Sequence, residues 1–197
     1  MFEIRVHWRG GQGVVTAAEM LSVAAFLKGR HAQAFPSFGS ERTGAPVIAF
    51  CRVDDHEIRL REPIAEPDCL IVQDPTLFRV ADVFAGLKPT GWLIVNTNHD
   101  FATLGIAEQA NRLPPGHAVA VPASEIAKRH IGRPLANAAL LGAFAALTGL
   151  LQFDGVKKAI EEAFPGRIGE INVAAAQEAY AWVLAAKETA GAPAATL

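Results

Sequence analysis

The residues best placed to do chemistry stand near the start of the chain. Arg9-Gly10-Gly11-Gln12-Gly13 follows an apolar-alternating stretch, Phe2 to Trp8, and precedes a helical pattern, Val14 to Lys28. Such a loop between strand and helix presents unpaired backbone N–H groups at the positive end of the helix dipole. Phosphate or another anion is its natural guest, and glycines let the backbone approach that guest closely. Against the dinucleotide fingerprint GxGxxG, Gly11 and Gly13 match, but the third position is Thr16. The ribose-binding acid expected about 20 residues further on is not evident; Gln33, Ala34 and Phe35 occupy that region. NAD is therefore poorly supported. A phosphate-bearing ligand other than NAD and a bare tight turn that needs glycine are the two readings left.

A second polar stretch, Pro36 to Pro46 (PSFGSERTGAP), offers Ser37, Ser40, Glu41, Arg42 and Thr43. Arg42 can fork onto a phosphate or carboxylate. The plainer reading is a solvated loop with an Arg–Glu surface pair, worth little. Long loops in compact domains tend to carry function. Asn96 and Asn98 follow an apolar run and can either line a pocket or cap the next helix. His7, His31, His56, His99, His117 and His130 show no HxxxH or HxH spacing, so no metal site is expected. His7 is expected to be packed rather than catalytic. No GxSxG elbow and no carboxylate pair suited to glycoside chemistry is present. The residues thus give no catalytic group of their own.

These candidates need strands and helices to hold them. His31 to Phe35 reads as a short second strand. Val47 to Val53 and His56 to Leu60 read as two more, joined by a tight turn at Asp54-Asp55. Cys69 to Val72 is a continuous apolar run, the mark of a strand buried on both faces. It leads into a helix start, with Asp74 as cap and Pro75 at the first position. Gly91 to Val95 and His117 to Val121 are further buried strands, the last followed by Pro122 and a helix to about His130. Three buried strands separated by helices imply parallel crossovers. The remainder reads as helix. Val156, Ile160 and Ala163 share one face, with Lys157 and Glu161 opposite. Ile171 to Ala186 turns Ile171, Ala175, Ala179 and Trp182 inward. The class is α/β: an open, mostly parallel Rossmann-like sheet flanked by helices, with a helical C-terminal part and a ligand at the C-terminal strand edges. Residues 1–187 form one domain, and 188–197 a flexible tail.

With 197 residues, 51% apolar and 19% charged, the chain is long enough for a full core and is not a disordered one. A net charge of −2 gives no electrostatic case for nucleic acid. Cys51 and Cys69 fit neither a CxxC pair nor a disulfide framework and read as buried thiols of a reducing cytoplasm. No signal peptide is expected. Leu135 to Leu151 (LANAALLGAFAALTGLL) carries no charge, yet it is Ala- and Gly-rich and holds Asn137 and Thr148, so a membrane span is not expected. A helix apolar all round is one buried all round, which predicts a partner over one of its faces.

The stretch FEIRVHWRGGQGVVTAAEML resembles the opening of the gamma subunit, or gamma domain, of 2-oxoacid:ferredoxin oxidoreductases such as pyruvate:ferredoxin oxidoreductase. PSFGSERTGAPVIAFCRV is similar to that family's aromatic-Gly-x-Glu-x-x-Gly segment and the strand after it. EPDCLIVQDP resembles its strand and acidic turn, and LANAALLGAFAALTGLL its Asn-initiated apolar helix. The resemblance spans residues 2–185. Trp8 departs from it, standing where many members have a glycine.

The resemblance implies a multi-subunit, oxygen-sensitive enzyme. Thiamine diphosphate adds to a 2-oxo acid, which loses CO2; electrons leave through iron–sulfur clusters to ferredoxin, and coenzyme A takes the acyl group. This chain has no GDG-plus-asparagine thiamine motif and no cysteine cluster. The resemblance therefore makes it the non-catalytic gamma subunit. Its implied partners are thiamine-binding alpha and beta subunits and a ferredoxin-like iron–sulfur subunit, and it would help to form the coenzyme A site. The candidate coenzyme A residues are Arg9, Gly10, Gly11, Gln12, Gly13, Ser40, Glu41, Arg42, Thr43 and Asn137. A stand-alone nucleotide-dependent oxidoreductase and a purely structural scaffold subunit are the alternatives.

Overall fold

The structure, a computed structural model, describes residues 1–10, 14–37 and 44–191. In chain order its elements are β1 (Phe2–Arg9), α1 (Val14–Phe26), β2 (His31–Ser37), β3 (Pro46–Asp54), β4 (Cys69–Val72), a 3-10 turn (Pro75–Arg79), β5 (Trp92–Asn96), α2 (Ala107–Asn111), β6 (Ala118–Val121), α3 (Ala123–Ile131), α4 (Asn137–Thr148), α5 (Phe153–Ala163) and α6 (Arg167–Gly191). The six strands lie in the order β2-β3-β1-β4-β5-β6. β1, β4, β5 and β6 run parallel, while β3 is antiparallel to both β1 and β2. The mostly parallel α/β sheet is as expected.

Alternation along β1 separates two faces, because successive side chains in a strand point to opposite sides. Ile4, Val6 and Trp8 join a core with α1 and α3–α6. Glu3, Arg5 and His7 point to the other side. There, Leu70, Val72, Leu93 and Val95 pack under Leu77, Val83, Ile106, Ala110 and Leu113, from the 3-10 turn, α2 and the loops beside them. Arg5 donates to the carbonyls of Val83 (3.0 Å) and Ala85, which holds the loop after the 3-10 turn over β1. Arg52 donates to Glu3 (2.9 Å) and to the carbonyl of Glu62 (2.7 Å), and its guanidinium lies over the Phe35 ring. His7 is buried as expected, and burial, then the charge of Arg5, pushes its pKa down to about 3.

Both thiols are buried on the helical side and register with Ile4 from opposite sides, Cys51 on β3 and Cys69 on β4. Partners two strands apart are separated by roughly 9–10 Å, beyond the reach of a disulfide. Burial pushes the Cys51 thiol up to about 12 and raises that of Cys69 as well.

Five expectations change. Residues 56–60 form no strand. β3 is hydrogen-bonded along both edges, to β1 and β2, so no edge is left for a hairpin partner. Asp54 instead pairs with the N-terminal ammonium (2.9 Å). Next, the crossovers carry little helix: a 3-10 turn follows β4, and a five-residue α2 precedes β6. Third, α4 is indeed buried from Asn137 to Leu147, but its own chain does the burying, with α1, α3, α5 and α6 packed around it. Its lack of charge is therefore no evidence for a partner. Fourth, Ala163 on α5 is exposed; Gly155 and Ala159 complete the buried stripe with Val156 and Ile160. Finally, α6 turns Asn172, Ala175, Ala176, Ala179 and Val183 inward, while Trp182 is 48% exposed. Its indole N–H donates to the Ala120 carbonyl (3.1 Å) and so covers a backbone acceptor of the edge strand β6. α6 runs from Arg167 to Gly191.

Among the described residues, no helix is long and apolar enough to cross a membrane.

Candidate functional site

The C-terminal ends of β1, β4, β5 and β6 share one edge of the sheet, as parallel pairing requires. Because β3 is antiparallel to β1, its first residue, Pro46, pairs with Arg9 at that edge. The end of the connection between β2 and β3 therefore lies beside Gly10. Gly10 N–H donates to Ala45 O (2.9 Å), and Gly44 N–H donates to Gly10 O (3.2 Å). The two loops singled out in the sequence share their roots. Gly11, Gln12, Gly13, Ser40, Glu41, Arg42 and Thr43 themselves lie outside the described residues.

Arg9 ties this junction together. Its Nε donates to Asp74 Oδ2 (2.9 Å), its Nη1 to Gly44 O (2.9 Å) and its Nη2 to Thr76 Oγ1 (2.8 Å). Asp74 in turn accepts the Thr76 N–H (2.9 Å) as the expected cap, with Pro75 next. With its fork engaged by two segments, the Asp74–Thr76 turn and Gly44, Arg9 acts as a clamp on the loop roots. Its side chain is under one-third exposed, at 29%. Arg9→Ala should lower stability by about 1–2 kcal/mol, after discounting for solvent. A melt of the purified chain should then fall by roughly 3–6 °C. Arg9→Lys should not restore it, since one ammonium cannot reproduce the fork. A melt unchanged by Arg9→Ala would show that the clamp does not hold the roots.

Beside the clamp, a cleft of about 340 Å³ opens at the ends of β4, β5 and β6. Gln73 and Asp74 enter it from β4, Asn96 to His99 from β5, and Ser124 and Glu125 from the start of α3. Asn96 is the organising group. Its Nδ2 donates to Gln73 O (2.8 Å) and Ser124 Oγ (2.8 Å), and its Oδ1 accepts the Ser124 N–H (2.9 Å). Pro122, just before α3, gives no side-chain cap, so β5 caps this helix from across the sheet. Asn96 thus both lines the cleft and caps a helix, the two roles its sequence position allowed. Gln73 is 7% exposed, and its Oε1 has no hydrogen-bond partner. Ser124, Thr76 and the free oxygen of Gln73 carried no sequence signal beyond their place just after buried parallel strands. Asn137 is buried in the first turn of α4.

The donor set does not suit an iron–sulfur cluster, which takes about four cysteine thiolates. The chain has two cysteines in all, both buried with raised pKa on separate strands.

Residues 3–182 match the family described as pyruvate ferredoxin/flavodoxin oxidoreductase. The chain is 48% identical over 180 residues to the pyruvate/ketoisovalerate oxidoreductases common subunit gamma of Pyrococcus furiosus, covering 91% of this chain and 96% of that one. It is 47% identical to the pyruvate synthase subunit PorC of Methanothermobacter thermautotrophicus, covering 91% and 94%. Among solved structures, the pyruvate oxidoreductase subunit PORC of Thermotoga maritima aligns with a TM-score of 0.76 at 35% identity, over 91% of this chain and 95% of that one. The chain belongs to the pyruvate ferredoxin/flavodoxin oxidoreductase family, as one of its gamma subunits.

Proposed function

We propose that this subunit works in the cytoplasm, within a complex that oxidatively decarboxylates a 2-oxo acid to an acyl-CoA. Thiamine-binding alpha and beta subunits and a ferredoxin-like iron–sulfur subunit carry the redox chemistry. The gamma subunit is non-catalytic; it shapes the path of coenzyme A and helps to hold the complex together. The observation that carries the coenzyme A part is the shared root of the two loops, Gly10 against Gly44 and Ala45, beside a polar cleft at the strand ends. Glycine-loop N–H groups at a helix start suit the phosphates of such a ligand. Family membership supports the assembly. The name of the Pyrococcus furiosus relative describes a gamma subunit common to two oxidoreductases, which favours choice of the 2-oxo acid by other subunits.

Arg42 tests this reading. In the assembled complex, Arg42→Ala should raise the KM for coenzyme A roughly fivefold, the loss of one charge contact of about 1 kcal/mol. The KM for the 2-oxo acid should move less. Equal KM values for coenzyme A in both complexes would remove Arg42 from the path. Native pull-down of the tagged chain under anaerobic conditions tests the assembly: thiamine- and iron-bearing partners should come with it, and recovery of a lone chain would sink the proposal.

A further inference from the structure

The cleft and the glycine loop differ in chemistry. No Lys or Arg is found among the described lining residues, and the two carboxylates there, Asp74 and Glu125, are already paired with Arg9 and Lys128. A phosphate gains nothing from such walls. A purine needs an aromatic face, and the described lining offers no ring except the exposed His99 imidazole. The cleft is instead built of neutral amides and hydroxyls: Gln73, Asn96, Thr97, Asn98 and Ser124.

One of these groups is unsatisfied. Gln73 is more than nine-tenths buried, and its Oε1 accepts no hydrogen bond. Asn96 cannot serve it, because both Asn96 amide atoms are engaged with Ser124 and the Gln73 backbone. A buried acceptor left unpaired is unfavourable, and a ligand donor placed on it is recognised by the same margin. Half-buried Ser124 and exposed Asn98 offer complementary donors at the rim. The start of α3 faces the same space.

We infer that this cleft receives a neutral ligand segment bearing amide and hydroxyl groups, with Gln73 Oε1 accepting one of its N–H or O–H groups. On the coenzyme A reading, on which this identification rests, that segment is the pantetheine arm. A volume of about 340 Å³ admits an arm but not the whole cofactor. The adenosine phosphates then lie outside the cleft.

The test uses the assembled complex with wild-type or variant gamma subunit and two probes, pantetheine and adenosine 3′,5′-bisphosphate, titrated by calorimetry. Gln73→Leu should weaken pantetheine binding by up to about tenfold, the worth of one hydrogen bond. Binding of the bisphosphate should stay within about twofold. Gln73→Glu, which keeps an acceptor, should recover part of the loss. Asn98→Ala, at an exposed rim position, should weaken pantetheine in the same selective way without loading the fold. No measurable binding of pantetheine to the wild-type complex would overturn the inference, as would unchanged pantetheine binding in both Gln73→Leu and Asn98→Ala, or equal loss for both probes. If Arg42→Ala still weakens coenzyme A in that case, only the cleft assignment fails. If coenzyme A binding is unchanged by every gamma variant, the coenzyme A reading fails with it.

Discussion

Gly142→Ala should unfold or severely loosen the helical layer. α4 and α6 pack on each other, and both bury small residues: Ala138, Ala139, Gly142, Ala145 and Ala146 on α4, and Ala175, Ala176 and Ala179 on α6. A Cβ built on Gly142 would stand 2.0 Å from the Ala176 carbonyl oxygen and 2.8 Å from its carbonyl carbon. Those atoms are α6 backbone, so no side-chain rotation relieves the overlap, and the two helices must move apart. Over-packing of a close-packed core costs about 1–3 kcal/mol, more where backbone is displaced. The upper end applies here, because α4 is enclosed by α1, α3, α5, α6 and the sheet and has nowhere to shift. A loss of about 3 kcal/mol lowers the melting temperature by roughly 6–12 °C in a chain of this size. Gly155→Ala is the control. Its nearest contact would be Ala24 O at 3.2 Å, with the flexible Lys28 side chain next, so a far smaller shift is expected. Equal melting temperatures for wild type and Gly142→Ala would show that α4 and α6 do not approach as closely as described.

The same contact explains what the sequence could and could not disclose. The four parallel strands were readable because each is a short run with its own apolar signature: alternating in β1, nearly continuous in β4 and β5. The supposed strand at 56–60 has the right residues, but whether it pairs depends on a free sheet edge, and β3 has none. On α6 alanines lie on buried and exposed faces alike, so the helical period alone could not decide between Trp182 and Val183; docking on α4 settles it. The charge-free α4 showed that it is buried but not by what. In the site, the glycine loop and the aspartate cap stand out as local patterns. The clamp and the cleft join residues from separate strands, Arg9 with Asp74, and Gln73 with Asn96 and Ser124, whose neighbourhood is created by strand order alone.

His7 should make this fold unusually sensitive to mild acid. The imidazole is 4% exposed on the loop-covered side of β1, and its Nε2 has no hydrogen-bond partner. Burial, reinforced by the positive Arg5 on the same face, lowers its pKa from 6.5 to about 3. Between those values the unfolded chain binds a proton that the folded chain refuses. Stability therefore rises with pH across this window and is lost as pH falls from about 6.5 toward 3. The slope approaches about 1.4 kcal/mol per pH unit, and the full loss is on the order of 5 kcal/mol. Asp54 contributes in the same direction, since the N-terminal ammonium and the His56 N–H hold its carboxylate below the usual range, but its loss begins only below about pH 4. The interval from pH 6.5 to 4.5 thus isolates the imidazole. Denaturant unfolding of the wild-type chain should show its stability falling by about 2–3 kcal/mol over that interval. His7→Leu, which keeps an apolar filling but cannot take a proton, should be nearly flat there and should equal or exceed the wild type at pH 4.5. Parallel pH profiles for the two chains would mean that the folded imidazole accepts its proton freely, and would overturn its placement beneath the loop held by Arg5.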